Sequence, residues 1–166
     1  AVPLLHGPLA LVELDLSGCT TLSSLVGLAA MPRLRRLVLH RCRALADVTP
    51  VSRCRELRVL VLSVCPALRD IGPLSSCEAL QEADLSFCTA LSDIAPLGRC
   101  AHLRDVALSG CERLSSISPL SVCTALQRLR LRACARLRDV SALAACSALV
   151  ELDVADCPLL PPGAVE

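Results

Sequence analysis

The chain contains no lysine, asparagine, tryptophan or tyrosine, and Phe87 is its only phenylalanine. All 17 basic residues are therefore arginines. We attribute this bias mainly to a coding sequence rich in G and C, with selection for bidentate arginine contacts as the alternative explanation. The lack of aromatic rings beside the arginines argues against nucleic-acid binding, because single-strand binding surfaces usually stack bases on such rings.

Long hydrophobic runs are also missing. Although 54% of the residues are hydrophobic, no segment approaches the ~18 consecutive apolar residues of a membrane span. The first five residues lack the basic segment and the long apolar run of a secretion signal. The net charge of +1 predicts no bulk attraction to nucleic acid or acidic lipid. We therefore expect neither a membrane nor nucleic acid as the partner.

Motifs for catalysis and cofactor binding are absent as well. The seven glycines form neither a GxGxxG nor a Walker motif, so no phosphate-binding loop is predicted. No C-x₂-C pair is present to indicate structural zinc. Asp15, His40 and Ser63 fall on adjacent predicted strands, but an open face provides neither an oxyanion hole nor a water-excluding pocket. We predict no enzyme activity, cofactor, metal or small-molecule substrate.

What the chain does have is a strict period of 23 residues. Seven cysteines recur at this spacing, each closing the phrase Leu-x-x-Leu-x-Leu-x-x-Cys: Cys19, Cys42, Cys65, Cys88, Cys111, Cys134 and Cys157. Ala83, Val106 and Val154 each replace one leucine of this phrase. A fixed period of this length predicts a repeat solenoid. Five further cysteines occupy a second repeat position, where the first repeat has Met31: Cys54, Cys77, Cys100, Cys123 and Cys146.

This regular spacing indicates buried free thiols rather than a disulfide framework. A free cysteine behaves as a small hydrophobic residue with a weak hydrogen-bond donor. Twelve free thiols indicate a reducing intracellular compartment, with the cytoplasm preferred. Neighbouring strands lie about 4.8 Å apart, so adjacent ladder cysteines come within the Cα distance at which oxidation is able to link them.

The positions within the repeat predict which side chains are buried. We number each repeat from its first leucine, so that position 1 is Leu11, Leu34, Leu57, Leu80, Leu103, Leu126 and Leu149. The Leu-x-Leu alternation points positions 4 and 6 inward and positions 3 and 5 outward. Seven such strands stack into a parallel sheet about 29 Å long. A short α or 3₁₀ turn then buries positions 18 and 21.

Two features mark the start of that turn. Thr49-Pro50 and Ser118-Pro119 are interpreted as an N-cap followed by proline at the first helical position. Four aspartates share position 14, and we predict that they accept hydrogen bonds from backbone N–H groups of the turn rather than bind metal: Asp47, Asp70, Asp93 and Asp139.

The phrases LVELDLSGC, LRVLVLSVC and LQRLRLRAC resemble the conserved segment of leucine-rich repeats over essentially the whole chain. That family usually has Asn where this chain has the ladder Cys. The paired cysteine positions resemble the cysteine-containing class known from F-box substrate receptors, whereas SDIAPL and SSISPL resemble the shorter repeats of internalins and kinetoplastid repeat proteins. The resemblance implies an α/β fold, namely a right-handed solenoid with a parallel concave sheet and short 3₁₀ or α turns on its convex side.

We predict one domain over residues 1–166. Residues 1–10 match the end of a partial repeat, residues 11–157 carry the 23-residue repeats, and residues 158–166 form the degenerate end, where Pro161-Pro162-Gly163 breaks the pattern. Neither end shows the polar outer face of a capping repeat, which favours a fragment of a longer chain.

The predicted outward positions 3, 5, 7 and 8 vary between repeats, whereas the inward positions are nearly constant, which indicates a binding surface on the concave face. The predicted partner-binding residues are the apolar cluster Val38, Val59, Val61, Val64 and Phe87, the basic residues Arg36, His40, Arg41, Arg128, Arg130 and Arg132, and the acidic Asp84. An apolar cluster rimmed by charge is typical of protein–protein sites, and stripes of charge fix the register of a partner. A missing segment of the same chain over the cluster and an ordinary solvated surface are the alternatives.

Together these features predict a non-catalytic protein–protein interaction module. The resemblance to the cysteine-containing class implies one specific role, the substrate-recognition arm of a ubiquitin ligase, for which flanking sequence would supply an F-box or RING segment. The alternative is a structural scaffold subunit of a large cytoskeletal or ribonucleoprotein assembly, which would use convex and edge surfaces as well.

Overall fold

A computed structural model describes residues 10–163 of the chain. The predicted strands form one sheet in which all seven are parallel and lie in sequence order. They are β1 (Glu13–Asp15), β2 (Arg36–Val38), β3 (Val59–Val61), β4 (Glu82–Asp84), β5 (Asp105–Ala107), β6 (Arg128–Arg130) and β7 (Glu151–Asp153). Most of the predicted partial repeat at residues 1–10 and the last three residues lie outside the described range, so the predicted boundaries there stay predictions.

A five-residue 3₁₀ helix follows each of the first six strands, on the opposite side of the core. These helices are η1 (Val26–Ala30), η2 (Thr49–Arg53), η3 (Gly72–Ser76), η4 (Ala95–Arg99), η5 (Ser118–Val122) and η6 (Ser141–Ala145). The prediction left α and 3₁₀ turns open, and the structure has 3₁₀ turns. Helices η1 and η6 keep the same length although Gly27 and Ala142 replace the proline found in the other four.

The 3₁₀ helices begin differently from the prediction for Thr49 and Ser118. Each of these residues is the first residue of its helix, with the proline second, and neither side chain forms the cap. The predicted role of the position-14 aspartates is confirmed, because Asp47 Oδ1 accepts a hydrogen bond from the Thr49 N–H at 2.8 Å. An aspartate two residues before the donor forms an Asx turn, which is a common start for such a segment. Ser116 replaces this acceptor at η5, where the N–H of Ser118 lies 3.2 Å from its Oγ.

The core is a stack of nearly identical layers between the sheet and the 3₁₀ helices. The residues at positions 18 and 21 are buried as predicted, together with those at position 15 and ten of the twelve cysteines. The inward leucines are buried in the middle repeats, whereas those of the first and last repeats are mostly only partly buried, as Leu14 and Leu152 are. Cys19 was predicted to point inward but is exposed. Its repeat is the first complete layer among the described residues. The later ladder thiols from Cys42 to Cys134 are buried, and Cys157 in the last repeat is partly buried.

Both columns of thiols connect neighbouring layers by weak hydrogen bonds. Each position-9 thiol from Cys42 to Cys157 donates to the position-6 carbonyl of the preceding repeat over 3.1 to 3.4 Å, as Cys88 Sγ does to Leu62 O. Four of the five position-21 thiols, from Cys77 to Cys146, donate in the same way to the position-18 carbonyl of the preceding repeat, as Cys77 Sγ does to Val51 O at 3.6 Å. All twelve cysteines are free thiols. The ladders therefore join the layers without covalent bonds, as expected for weak thiol donors.

Candidate protein-recognition face

The outward residues at positions 3, 5, 7 and 8 form one continuous surface, which we call the sheet face. Because the strands pair in register, residues at one position form a row across the sheet. Row 3 is Glu13, Arg36, Val59, Glu82, Asp105, Arg128 and Glu151, and row 5 is Asp15, Val38, Val61, Asp84, Ala107, Arg130 and Asp153. The structure thus brings the predicted site residues of four strands, β2, β3, β4 and β6, onto one surface, with neighbouring strands about 4.8 Å apart.

The predicted basic residues of the second repeat lie at one end of this set. Arg36 and Arg41 are exposed, and His40 is partly buried. Four ion pairs closer than 4.0 Å occur among residues 10–163, and none includes Arg36 or Arg41. Their positive charge is therefore available to a partner.

His40 and Ser63 meet on the sheet face, but they do not form a catalytic set with Asp15. His40 Nδ1 and Ser63 Oγ are 2.9 Å apart, and Ser63 is only 5% exposed. The Asp15 carboxylate instead accepts hydrogen bonds from the N–H of Ser17 at 2.8 Å and from its hydroxyl at 2.5 Å. These two bonds lower the pKa of Asp15, with a smaller contribution from the positive charge of Arg36. The His40–Ser63 contact orients the imidazole ring on the face.

The predicted apolar cluster is present, but its members are unequally exposed. The side chain of Phe87 is 53% exposed, whereas the valines are partly buried. The valines of this cluster are Val38, Val59, Val61 and Val64. Valine is short and lies among longer charged side chains. The Phe87 ring therefore projects from the sheet face, whereas the four valines form a recessed apolar surface beside it.

Every residue at position 8 has a left-handed backbone conformation, with φ between 59° and 75°. The seven residues are Gly18, Arg41, Val64, Phe87, Gly110, Ala133 and Asp156. The N–H of each position-8 residue from Gly18 to Ala133 donates to the position-7 carbonyl of the next repeat, as the N–H of Phe87 does to Ser109 O at 2.7 Å. This conformation costs an L-residue other than glycine roughly 1–2 kcal/mol, and a β-branched residue such as Val64 is a marked outlier there. The fold therefore holds several outward residues under strain, which is common at binding sites.

The Phe87 ring lies over Gly110 of the next repeat. A Cβ atom placed on Gly110 would lie 2.5 Å from Cδ1 of Phe87, closer than real contacts allow. Gly110 is buried, although the ring above it is half exposed. Glycine at this position therefore leaves the space in which the ring rests.

Gly110→Ala should destabilise the protein more than Gly18→Ala does. Both glycines have a positive φ, +70° and +75°, so both substitutions carry a similar backbone strain of roughly 1–2 kcal/mol. A methyl group at residue 18 meets nothing within 4 Å, whereas one at residue 110 displaces the Phe87 ring. The comparison is made by denaturant unfolding of both variants.

The double variant Phe87→Ala/Gly110→Ala is the control, because removal of the ring should abolish the extra loss caused by Gly110→Ala. Equal losses in the two single glycine variants would contradict the contact between Phe87 and Gly110.

Asp84 has a local structural role as well as a place on the face. Its Oδ1 accepts a hydrogen bond from the N–H of Ser86 at 2.9 Å, and Asp153 does the same for Ala155 at 3.0 Å. A shallow depression of about 60 Å³ lies beside it, lined by Val59, Leu60, Val61, Glu82, Ala83, Asp84, Asp105 and Arg130. Since a cavity of roughly 150 Å³ holds one benzene molecule, this depression has room for part of one side chain rather than for a free ligand.

The second predicted basic stripe is partly neutralised within the protein. Arg128 Nε and Arg130 Nη2 each lie 2.7 Å from an oxygen of Asp105, and Arg132 Nη2 lies 2.9 Å from Asp156 Oδ2. Arg128, Arg130 and Arg132 were predicted to contact the partner, and the pairing of Asp105 with the first two was not predicted. The signal was present, because Asp105 directly precedes Arg128 in row 3.

Three small residues that were predicted to point outward are buried: Ser63, Ser86 and Ala107. A short side chain lies below the level of its longer neighbours, and Ser63 is also held by His40. Position 7 therefore contributes less surface than predicted.

Residues 10–163 contain neither a cluster of metal-ligating side chains nor a membrane-spanning helix. No group of three or more His, Cys, Asp or Glu side chains among residues 10–163 is arranged to hold a metal ion. No helix in that range is long and apolar enough to cross a membrane.

Comparisons with solved structures identify the architecture. The internalin InlF from Listeria monocytogenes is 21% identical to this chain, with a TM-score of 0.61. The match covers 87% of this chain and 47% of the InlF chain. The leucine-rich-repeat domain of the type III effector XopL is 20% identical with a TM-score of 0.72, covering 84% of this chain and 52% of its own. This chain has a leucine-rich-repeat fold. The internalin InlC2, also from Listeria monocytogenes, matches 92% of this chain and 74% of its own, at 20% identity and a TM-score of 0.63.

These matches confirm the predicted leucine-rich-repeat solenoid and its resemblance to internalin repeats at the level of the fold. The chain spans about half the length of the InlF and XopL chains. No protein-family model and no curated protein matches the chain by sequence.

Proposed function

We propose that this leucine-rich-repeat domain is a non-catalytic protein-recognition module that binds its partner on the sheet face. Val59, Val61, Val64 and Phe87 supply the apolar contact, and Arg36, His40 and Arg41 orient the partner from one side. The observation that carries the proposal is Phe87, a half-exposed ring in a strained left-handed backbone.

The strain supports a role in binding because folding alone does not explain it. Glycine occupies the same position in the first and fifth repeats without that strain. Val64 and Phe87 are instead kept there, each at a cost of roughly 1–2 kcal/mol. A few residues packed in desolvated pockets near the centre of an interface usually supply most of its binding free energy. Such a contact at Phe87 would offset the cost of the strained backbone when the partner is present.

The charged residues of the proposed site differ in whether they already form an ion pair within the protein. Arg36 and Arg41 have no ionic partner among residues 10–163, so they provide the stronger electrostatic contribution. Arg128, Arg130 and Arg132 are engaged with Asp105 and Asp156, and we place them at the outer part of the interface. Asp84 supplies a negative charge to the proposed site, and its Oδ1 also accepts a hydrogen bond from the N–H of Ser86.

Two finer roles are part of the proposal. The paired cysteine positions support a substrate-recognition arm of a ubiquitin ligase, and co-purifying ligase subunits would be its specific sign. The buried free thiols support a reducing compartment, with the cytoplasm as the proposed location.

The decisive experiment is affinity purification with mass spectrometry from the native cell. It compares the wild type with Val61→Glu/Phe87→Glu, after thermal unfolding has shown that both are folded. The matched control is Val26→Glu/Val122→Glu, which introduces the same charges at exposed valines of η1 and η5. We expect specific partners to be lost only from the sheet-face variant.

Loss of partners from the η1/η5 variant alone would overturn the proposal. It would favour the scaffold alternative, in which the chain assembles through its convex surface.

A further inference from the structure

Row 3 changes sign across three neighbouring strands. Arg36, Val59 and Glu82 are successive register partners on β2, β3 and β4. Arg36 and Glu82 are exposed, and neither belongs to the four ion pairs found among residues 10–163. In row 5 the apolar strip continues through Val61. The middle of the sheet face is therefore basic on one side, apolar in the centre and acidic on the other.

A second copy of the chain does not match this pattern. A two-fold contact over the whole face about an axis along the strands would place β1 on β7, β2 on β6 and β4 on itself, so row 3 would oppose Glu13 to Glu151, Arg36 to Arg128 and Glu82 to its own copy. A central axis across the strands would instead oppose rows 3 and 5 of the same strand, so Glu13 would meet Asp15, Glu82 would meet Asp84 and Arg128 would meet Arg130. Like charges in contact cost several kcal/mol, so the occupant of the face is a different molecule.

Phosphate-bearing partners are also disfavoured. The carboxylates of Glu13, Glu82 and Asp84 lie on the same surface as Arg36 and repel phosphate groups. A protein segment that carries both signs of charge avoids this repulsion.

The spacing of the charges favours a helical segment. Strands β2 and β4 are two strand spacings apart, about 9.6 Å. In an α-helix, residues i and i+7 lie on one side about 10.5 Å apart, with residues i+3 and i+4 between them. In an extended segment, same-side residues are about 6.7 or 13 Å apart, so neither spacing fits as well.

We propose that the sheet face binds an α-helix of a protein partner, lying across β2, β3 and β4. An acidic residue of this helix pairs with Arg36, apolar residues one turn later contact Val59 and Val61, and a basic residue two turns along pairs with Glu82. This inference rests on the proposed function, since it names the kind of segment that the recognition module binds.

The test uses three synthetic alanine-rich helices of roughly 20 residues, a length at which isolated helices form. All three carry leucine at i+3 and i+4. The mixed peptide has Glu at i and Arg at i+7, the acidic peptide has Glu at both positions, and the basic peptide has Arg at both. Fluorescence anisotropy at low salt should rank the mixed peptide first, by about 1.4- to 5-fold for each exposed charge pair.

Charge-reversal variants then move the preference in opposite directions. Glu82→Arg should make the acidic peptide the tightest binder, and Arg36→Glu should do the same for the basic peptide. Both residues are exposed, so the folded stack should tolerate the changes. Arg113→Glu is the control, because Arg113 is exposed outside rows 3 and 5 and its reversal should leave the ranking unchanged.

No binding, equal binding of the three peptides, or an unchanged ranking for Glu82→Arg and Arg36→Glu would overturn the helix proposal. The proposed function is judged separately, by whether Val61→Glu/Phe87→Glu loses the native partners. Loss of those partners without any peptide preference would leave a recognition face whose ligand is not such a helix.

Discussion

Under reducing conditions, the protein should unfold cooperatively as the pH rises from about 9 to 10.5, well before most proteins lose their structure in alkali. The chain has no lysine or tyrosine, so cysteine thiols are its only side chains that titrate in this range. The alkaline transition therefore reports on the two thiol ladders.

Burial disfavours the charged thiolate and raises the pKa of the ladder thiols. The pKa rises to about 11 for Cys54, Cys65, Cys100 and Cys123 and to about 12 for Cys77, Cys88 and Cys134. Burial raises the pKa of Cys111 further still. These eight side chains are inaccessible to solvent, and each is packed in the core.

The direction of the pH dependence follows from these shifts. The folded pKa lies above the ordinary value of 9.0, so the contribution of the buried thiols to stability is complete below pH 9. It is lost as the pH rises toward the folded pKa, because only the unfolded chain releases the protons. Above pH 9, each buried thiol lowers the free energy of unfolding by about 1.4 kcal/mol per pH unit. Eight such thiols together lower it by on the order of 10 kcal/mol per pH unit, which is comparable with the whole stability of a domain.

Circular dichroism and the ultraviolet absorbance of thiolate, recorded on one sample, test this expectation. Both signals should change together in a single step. In Cys77→Ala, one proton fewer should be released on unfolding, so the unfolding free energy should fall less steeply with pH than in the wild type. Thiolates that appear near pH 9 while the circular dichroism stays native would contradict the burial of the ladders.

The fold was predictable because the repeat period converts directly into register. A 23-residue spacing without insertions places Leu37 beside Leu60 and Arg36 beside Val59, as the sheet confirms. The Leu-x-Leu alternation then decides which side chains enter the core. The start of the 3₁₀ helices was predicted only in part. Asp47 accepts the expected hydrogen bond, but Thr49 is the first helical residue rather than the N-cap, and both residue types are common caps.

The candidate site was only partly predictable because its details depend on contacts between repeats. The exposure of Phe87 followed from its place in the repeat, but its seat on Gly110 depends on side-chain orientation. The pairing of Asp105 with both Arg128 and Arg130 is likewise a contact between strands. Gly18 and Gly110 at position 8 were a readable sign of the left-handed backbone, since glycine is the residue that adopts it most easily.

Cys88→Asp should cost roughly 3–5 kcal/mol at neutral pH, because it places an unpaired charge in the centre of the stack. Cys88 is fully buried, and its thiol donates to Leu62 O at 3.2 Å. A carboxylate at this site has no proton to donate, so its oxygens would face the carbonyl oxygen of Leu62 and repel it. The Cys88→Asn variant has nearly the same shape, and its amide N–H restores the donor to Leu62 O.

The pH dependence separates charge from shape in this pair of variants. Burial raises the folded pKa of a carboxyl above its unfolded value of about 3.9, so the charge-dependent penalty of Asp at residue 88 grows as the pH rises above that value. Below it, the protonated acid donates to Leu62 O and the two variants should converge in stability. Denaturant unfolding at neutral and acidic pH measures the difference. Equal stability of the Asp and Asn variants at neutral pH would mean that the ladder position is reached by water, and it would overturn the inward assignment on which the layered core depends.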